Sequence, residues 1–114
     1  MEVRNTRNGQ LLGDRVERTR GGRQAAKGLL GRQGLEKGEG LWLVGILGVH
    51  SFGMRFPIDV AYLDGNLRIL HVIEGMKPGR IGRLSLRTET VLELPAGTLA
   101  ATETRKGDRL EIRA

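Results

Sequence analysis

Between positions 50 and 59 the chain gathers an imidazole (His50), a hydroxyl (Ser51), a guanidinium (Arg55) and a carboxylate (Asp59) within ten residues, directly after a glycine-rich stretch. Glycine lets backbone amides come close to a ligand, and the set as a whole suits an anion. His50 can act as a general base near neutral pH, Asp59 can orient it, and Arg55 can neutralise a carboxylate or phosphate. A second basic loop, Lys77-Pro78-Gly79-Arg80 followed by Arg83, adds cations that could sit near the His50 loop. The candidate ligand-binding residues are therefore His50, Ser51, Arg55, Asp59, Lys77 and Arg80. His50 with Asp59 is the candidate catalytic pair, for a small hydrolase acting on a phosphate or carboxylate ester. Ser51 is no nucleophile on this reading, because neighbours on an extended segment point to opposite sides and no Gly-x-Ser-x-Gly elbow surrounds it. The same residues also admit a structural role, in which His50, Arg55 and Asp59 form a hydrogen-bonded network that pins an irregular loop to the fold.

The elements that must position these groups are mostly strands. Residues 58–63 alternate with period two, placing Ile58, Val60 and Tyr62 on one face and Asp59, Ala61 and Leu63 on the other. Asp59 thus projects among apolar neighbours and needs a partner, Arg55 or a backbone turn, because an unpaired buried charge is costly. The Asp64-Gly65-Asn66 turn leads into a second strand at 67–73, a hairpin signal. Further strands are expected at 41–44, at 90–94 before Pro95-Ala96-Gly97, and at 109–113 after Lys106-Gly107-Asp108. At the N-terminal end, Arg7-Asn8-Gly9 marks the turn of a hairpin within residues 1–18. Residues 24–30 combine helix formers with apolar groups at 25, 26, 29 and 30 and a stop at Gly31, predicting the one main helix. The expected fold is mainly β, of the α+β kind: a small twisted antiparallel sheet closing into a barrel-like single domain over residues 1–114, with that helix near the N-terminus. Residues 45–53 resist regular assignment and are where a site would lie.

Composition narrows the chemistry. The chain has 114 residues and no cysteine, which excludes thiolate catalysis, disulfides and Cys-ligated zinc. His50 and His71 alone are a poor start for a metal centre, so neither a metal nor another cofactor is expected. Net charge is +6, and residues 1–37 hold nine basic against four acidic groups while residues 38–114 hold ten against nine. The N-terminal excess raises non-specific polyanion binding as a further alternative. Trp42, Phe52, Phe56 and Tyr62 sit in apolar blocks, which favours core packing over base stacking and argues against nucleic acid as the partner. The Gly31/Gly34 and Gly38/Gly40 spacings lack the strand-turn-helix context of a nucleotide loop and read as turns. The apolar run 41–56 is broken by Gly45, Gly48 and Gly53 and by polar residues, so no membrane span is expected. The first residues lack a signal-peptide pattern, which makes the cytoplasm the expected location.

Three blocks carry a resemblance: Lys27-Gly28-Leu29-Leu30-Gly31-Arg32, the run from His50 to Val60, and Val91-Leu92-Glu93-Leu94-Pro95-Ala96-Gly97, with Gly107-Asp108-Arg109-Leu110 as a weaker fourth. In order and spacing, over about residues 25–112, they resemble the domain of unknown function 192 family, also called uncharacterised protein family 0127. The resemblance implies a mostly β fold with one helix and no agreed activity. Family members often carry Pro-Cys where this chain has Gly45-Ile46 and a tryptophan where it has Gly79, so chemistry resting on that thiol or indole has no counterpart here. The expectation for function is a non-catalytic binding module for an anionic small molecule or a protein partner.

Overall fold

The computed structural model describes residues 1–20 and 32–114. Among them are eight strands: β1 (Glu2–Asn5), β2 (Leu11–Gly13), β3 (Arg15–Arg20), β4 (Glu39–Val44), β5 (Ile58–Leu63), β6 (Ile69–Met76), β7 (Thr90–Pro95) and β8 (Leu110–Arg113). One short helix, α1 (Thr98–Ala101), follows β7. The helix expected at 24–30 lies outside the described residues.

The strands form two sheets, one of three strands in the order β2-β1-β8 and one of five in the order β3-β4-β7-β5-β6. The barrel expectation is therefore corrected. Closure would need the edges β3 and β6 to meet, and instead the terminal strands build a separate sheet, with β1 antiparallel to β8 from Glu2↔Arg113 to Asn5↔Leu110. The all-antiparallel expectation fails at one place for a related reason. The chain leaves the β1–β2 hairpin through β3, which runs parallel to β4. A parallel neighbour requires a long crossover rather than a turn, and the sequence between Arg20 and Glu39 is long enough for one.

The predicted hairpins are present. β1 and β2 pair across the Arg7-Asn8-Gly9 turn, and β5 pairs antiparallel with β6 across Asp64-Gly65-Asn66. Every residue of β5 is buried, because it lies between β6 and β7 and both faces of the sheet are covered. On one face Trp42, Ala61, Leu63, Leu92 and Leu94 pack with Val3, Leu12 and Leu110 of the small sheet. On the other, Leu41, Leu43, Ile58, Val60, Tyr62 and Val91 pack with Met54 and Phe56 of the loop between β4 and β5. Completely burying one such side chain contributes about 2 kcal/mol, so the two layers together dominate the stability.

The small sheet is tied to the loop before β8 by one carboxylate. Asp108 accepts hydrogen bonds from Asn5 Nδ2 at 2.9 Å, Arg7 Nε at 2.8 Å and the Arg105 N–H at 3.0 Å. The hydrogen-bonded Arg7 guanidinium, helped by Asn5 and the Arg105 amide against the opposing effect of burial, holds the Asp108 carboxyl down at about 2. A depressed carboxylate adds stability above its unfolded value of 3.8 and loses it as the pH falls through about 2. Asp108→Asn is expected to lower the melting temperature at neutral pH and to flatten its acid dependence over that window. An unchanged acid limb in thermal melts would show that the contact contributes nothing.

Candidate functional site

The loop between β4 and β5 and the loop between β6 and β7 run side by side as an irregular ribbon. The backbone ties them together: Ser85 N–H donates to Leu47 O at 3.0 Å, Gly82 to Val49 O at 2.7 Å, Ser51 to Arg80 O at 2.8 Å, and Gly79 to Ser51 O at 2.9 Å. His50 and Ile81 form an isolated antiparallel bridge. Ser51, fully buried, is the rivet: its hydroxyl donates to Lys77 O at 2.6 Å and accepts from the Arg80 N–H at 2.9 Å. The basic loop and the His50 loop are thus neighbours.

The predicted site residues separate into two groups. Asp59 is completely buried. Its Oδ1 accepts the Gly75 N–H at 2.8 Å and its Oδ2 accepts the N–H groups of Gly97 and Leu99 at 3.1 and 2.9 Å. It therefore caps the first turn of α1 from a neighbouring strand, and Gly97 supplies the left-handed φ of 93° that the turn requires. Of the two partners expected for Asp59, the backbone turn is the one found. Arg55 is exposed and contacts no carboxylate among the described residues. His50 is exposed too; its Nδ1 accepts the Phe52 N–H at 3.3 Å, and its ring lies 5.3 Å from that of Phe52. The His50–Asp59 catalytic pair does not form, because both Asp59 oxygens are occupied by backbone amides. The expected three-residue network of His50, Arg55 and Asp59 does not form for the same reason. Ser51 is turned inward. His50, Arg55, Lys77 and Arg80 remain on the surface.

What the sequence reading missed is apolar. Phe52 is 50% exposed, Ile81 75%, Leu84 70% and Leu86 81%. Of the aromatic residues assigned to the core, Trp42, Phe56 and Tyr62 are buried and Phe52 is not. A signal for Phe52 was available: Ser51-Phe52-Gly53-Met54 closes with Met54 N–H to Ser51 O at 3.2 Å, with Gly53 at φ 81°. That is the positive third position of a type II turn, which puts Phe52 at the tip. Leu86 had no such signal. It occupies the second position of the turn closed by Thr88 N–H to Ser85 O at 3.2 Å, a place where leucine gains no packing.

Charge is distributed unevenly around this ribbon. In the N-terminal part Arg4 pairs with Glu2, Arg7 with Asp108, Arg15 with Asp14 and Glu36, and Arg32 with Glu39. Among the described residues no ion pair involves Arg55, Lys77, Arg80, Arg83 or Arg87. Arg83 instead packs along β6: its Nη1 donates to His71 Nδ1 at 3.2 Å, and its carbonyl accepts the Tyr62 hydroxyl at 2.7 Å. Burial first, then the Arg83, Lys106 and Arg87 charges, lower the His71 pKa and favour the neutral ring.

One further titratable group is unusual. Glu93 on β7 faces the same side of the sheet as Val91, paired with Leu41 on β4 and Val60 on β5. It is 5% exposed and hydrogen-bonds to none of the described residues, and burial pushes its carboxyl up to about 7. The sequence signal was a lone acid inside an otherwise apolar run, legible only once β7 is known to be central. Elsewhere a cleft of about 580 Å³ lies between the β2–β3 corner and the Pro95–Gly97 turn, touched by Leu11, Asp14, Lys37 and Ala101 and by none of the predicted site residues. Among the described residues no cluster of three or more His, Asp or Glu could hold a metal ion, and no helix is long and apolar enough to cross a membrane.

Two solved structures share this architecture. A Sinorhizobium meliloti protein described, provisionally, as a transcription regulator superposes with a TM-score of 0.81 at 24% identity, over 96% of this chain and 89% of its own. A Novosphingobium aromaticivorans protein of unknown function gives 0.82 at 23% identity, over 97% and 82%. At such identities the likeness extends to the fold alone. No curated protein matches the sequence at a significant level. The family model for domain of unknown function 192 (DUF192, uncharacterized ACR) matches residues 3–112, nearly the whole length, and the chain belongs to that family.

Proposed function

We propose that the chain is a non-catalytic binding module whose contact surface is the two-loop ribbon, and that this surface takes an anionic partner. The observation that carries the reading is the coincidence on one ribbon of cations without carboxylate partners and of apolar side chains left in water. Exposed large apolar groups grouped in this way mark interaction sites more often than they serve the fold. The strong exposure of Ile81, Leu84 and Leu86 favours a broad partner that covers them over an enclosed small molecule. The hydrolase alternative loses support because His50 has no orienting carboxylate. The polyanion alternative loses support because most of the N-terminal arginines are neutralised internally; Arg18 and Arg20 are the described exceptions.

Titration of the isotope-labelled chain with poly-L-glutamate at low salt tests the reading. Amide shift changes are expected to concentrate in residues 47–55 and 77–88 and to collapse at moderate salt. Changes centred on β3, or none at all, would overturn it.

A further inference from the structure

Resting on that reading, we infer that the anionic partner of the ribbon is a lipid bilayer surface, which the two turn tips enter. Three features of the ribbon point the same way.

The first is where the apolar groups stand. Phe52 and Leu86 each occupy the second position of a tight turn closed by its own backbone hydrogen bond, Met54 to Ser51 and Thr88 to Ser85. Turn tips select glycine, proline, asparagine, aspartate and serine because these satisfy local backbone needs. A phenylalanine and a leucine there, 50% and 81% exposed, add nothing to the turns and nothing to the core. Apolar tips backed by hydrogen-bonded turns suit a soft, deformable phase that can close around them.

The second is the surrounding charge. From Gly75 through Thr88 the sequence holds Lys77, Arg80, Arg83 and Arg87 and no acidic residue, and from Gly45 through Ile58 it holds Arg55 and no acidic residue. Glu74 and Glu89 bound the first of these stretches. Cations that flank both tips in the sequence, with no acidic residue among them, complement an anionic headgroup layer, each basic residue strengthening attachment roughly five-fold near such a surface.

The third is support from behind. The Ser51 hydroxyl joins the two loops, and the Tyr62 hydroxyl reaches Arg83 O from β5, so the tips are presented by a braced ribbon. Attachment of this kind is peripheral, with apolar burial and electrostatic attraction acting together.

Co-sedimentation of the full chain with vesicles tests the inference. With vesicles of equal parts phosphatidylglycerol and phosphatidylcholine, sedimentation is expected at low salt, and with phosphatidylcholine alone none. Phe52→Asp with Leu86→Asp is expected to weaken binding by roughly tenfold or more, since it removes both inserted groups. Arg83→Glu is expected to weaken it several-fold, and Arg113→Glu on β8 to leave it unchanged. Near-ultraviolet circular dichroism of the tip variant controls for folding, which these exposed positions are expected to leave intact. Failure to sediment with the anionic vesicles, or sedimentation indifferent to the two tip substitutions, overturns the lipid inference. If poly-L-glutamate still perturbs the ribbon in that case, the binding-module reading survives with a protein as partner. If it does not, both readings fall.

Discussion

Asp59→Ala is expected to destabilise the protein by about 4 kcal/mol, because it strips a charged acceptor from three backbone N–H groups at once, one of them fully buried. The donors are Gly75 at the bulged end of β6, and Gly97 and Leu99 at the start of α1. Asp59 and Leu99 are fully buried, so no water replaces the carboxylate at the Leu99 N–H, while Gly75 and Gly97 are exposed residues. Asp59→Asn keeps one oxygen acceptor and is expected to fall between the two. Urea denaturation at neutral pH measures the difference, and amide exchange over residues 95–101 should locate it. A cost below about 1 kcal/mol would mean that the carboxylate does not hold this corner together. Since the residue never reaches the surface, any loss of binding in the alanine variant should track its loss of folded protein.

Asp59 also shows how far the sequence could be read. The alternation of residues 58–63 fixed which face the carboxylate occupies, and the cost of burying it unpaired demanded a partner. Period-two patterning cannot choose that partner, because it says nothing about which distant turn crosses the strand end. Arg55, nearest in sequence, was the natural candidate, and the loop folds so that its side chain stays in water. The hairpins around Asn8-Gly9 and Asp64-Gly65 were legible because turn chemistry is local. The β3–β4 and β1–β8 pairings were not, because they depend on crossovers that leave no local mark, and without them a run of short strands resembles a barrel. Within the candidate site, the polar residues and the adjacency of the two basic loops could be anticipated. The exposed Leu84 and Leu86 could not, since an apolar residue in an unassigned loop carries no indication of whether anything covers it.

Glu93→Gln is expected to have the second largest effect, and in the opposite direction. The native carboxyl holds its proton up to about 7, whereas an unfolded glutamate releases it near 4.5. Between those values the folded state binds a proton that the unfolded state has lost, so stability is highest below the lower value and falls as the pH rises through the upper one. The full fall amounts to about 3 kcal/mol. Glutamine has no proton to lose. The variant should match the parent near pH ~5 and exceed it by about 2 kcal/mol near pH ~8, with a flat profile between. Denaturation midpoints across that range provide the check. A parent whose stability rises or stays level over the same interval would show that the carboxylate is ionised and paired within the fold.

The antiparallel union of β1 with β8 also bears on the order of events during synthesis. Asn5 meets Asp108, a separation of 103 positions, so β1 emerges from the ribosome long before β8 and waits for it before its sheet can close. The five-stranded sheet has all its members by Pro95 and can assemble earlier, which leaves the β1–β2 hairpin as a late-docking flap over a core face already in place. Closing so long a loop slows folding, and through that interval the face carrying Trp42, Leu92 and Leu94 stands open to neighbouring nascent chains.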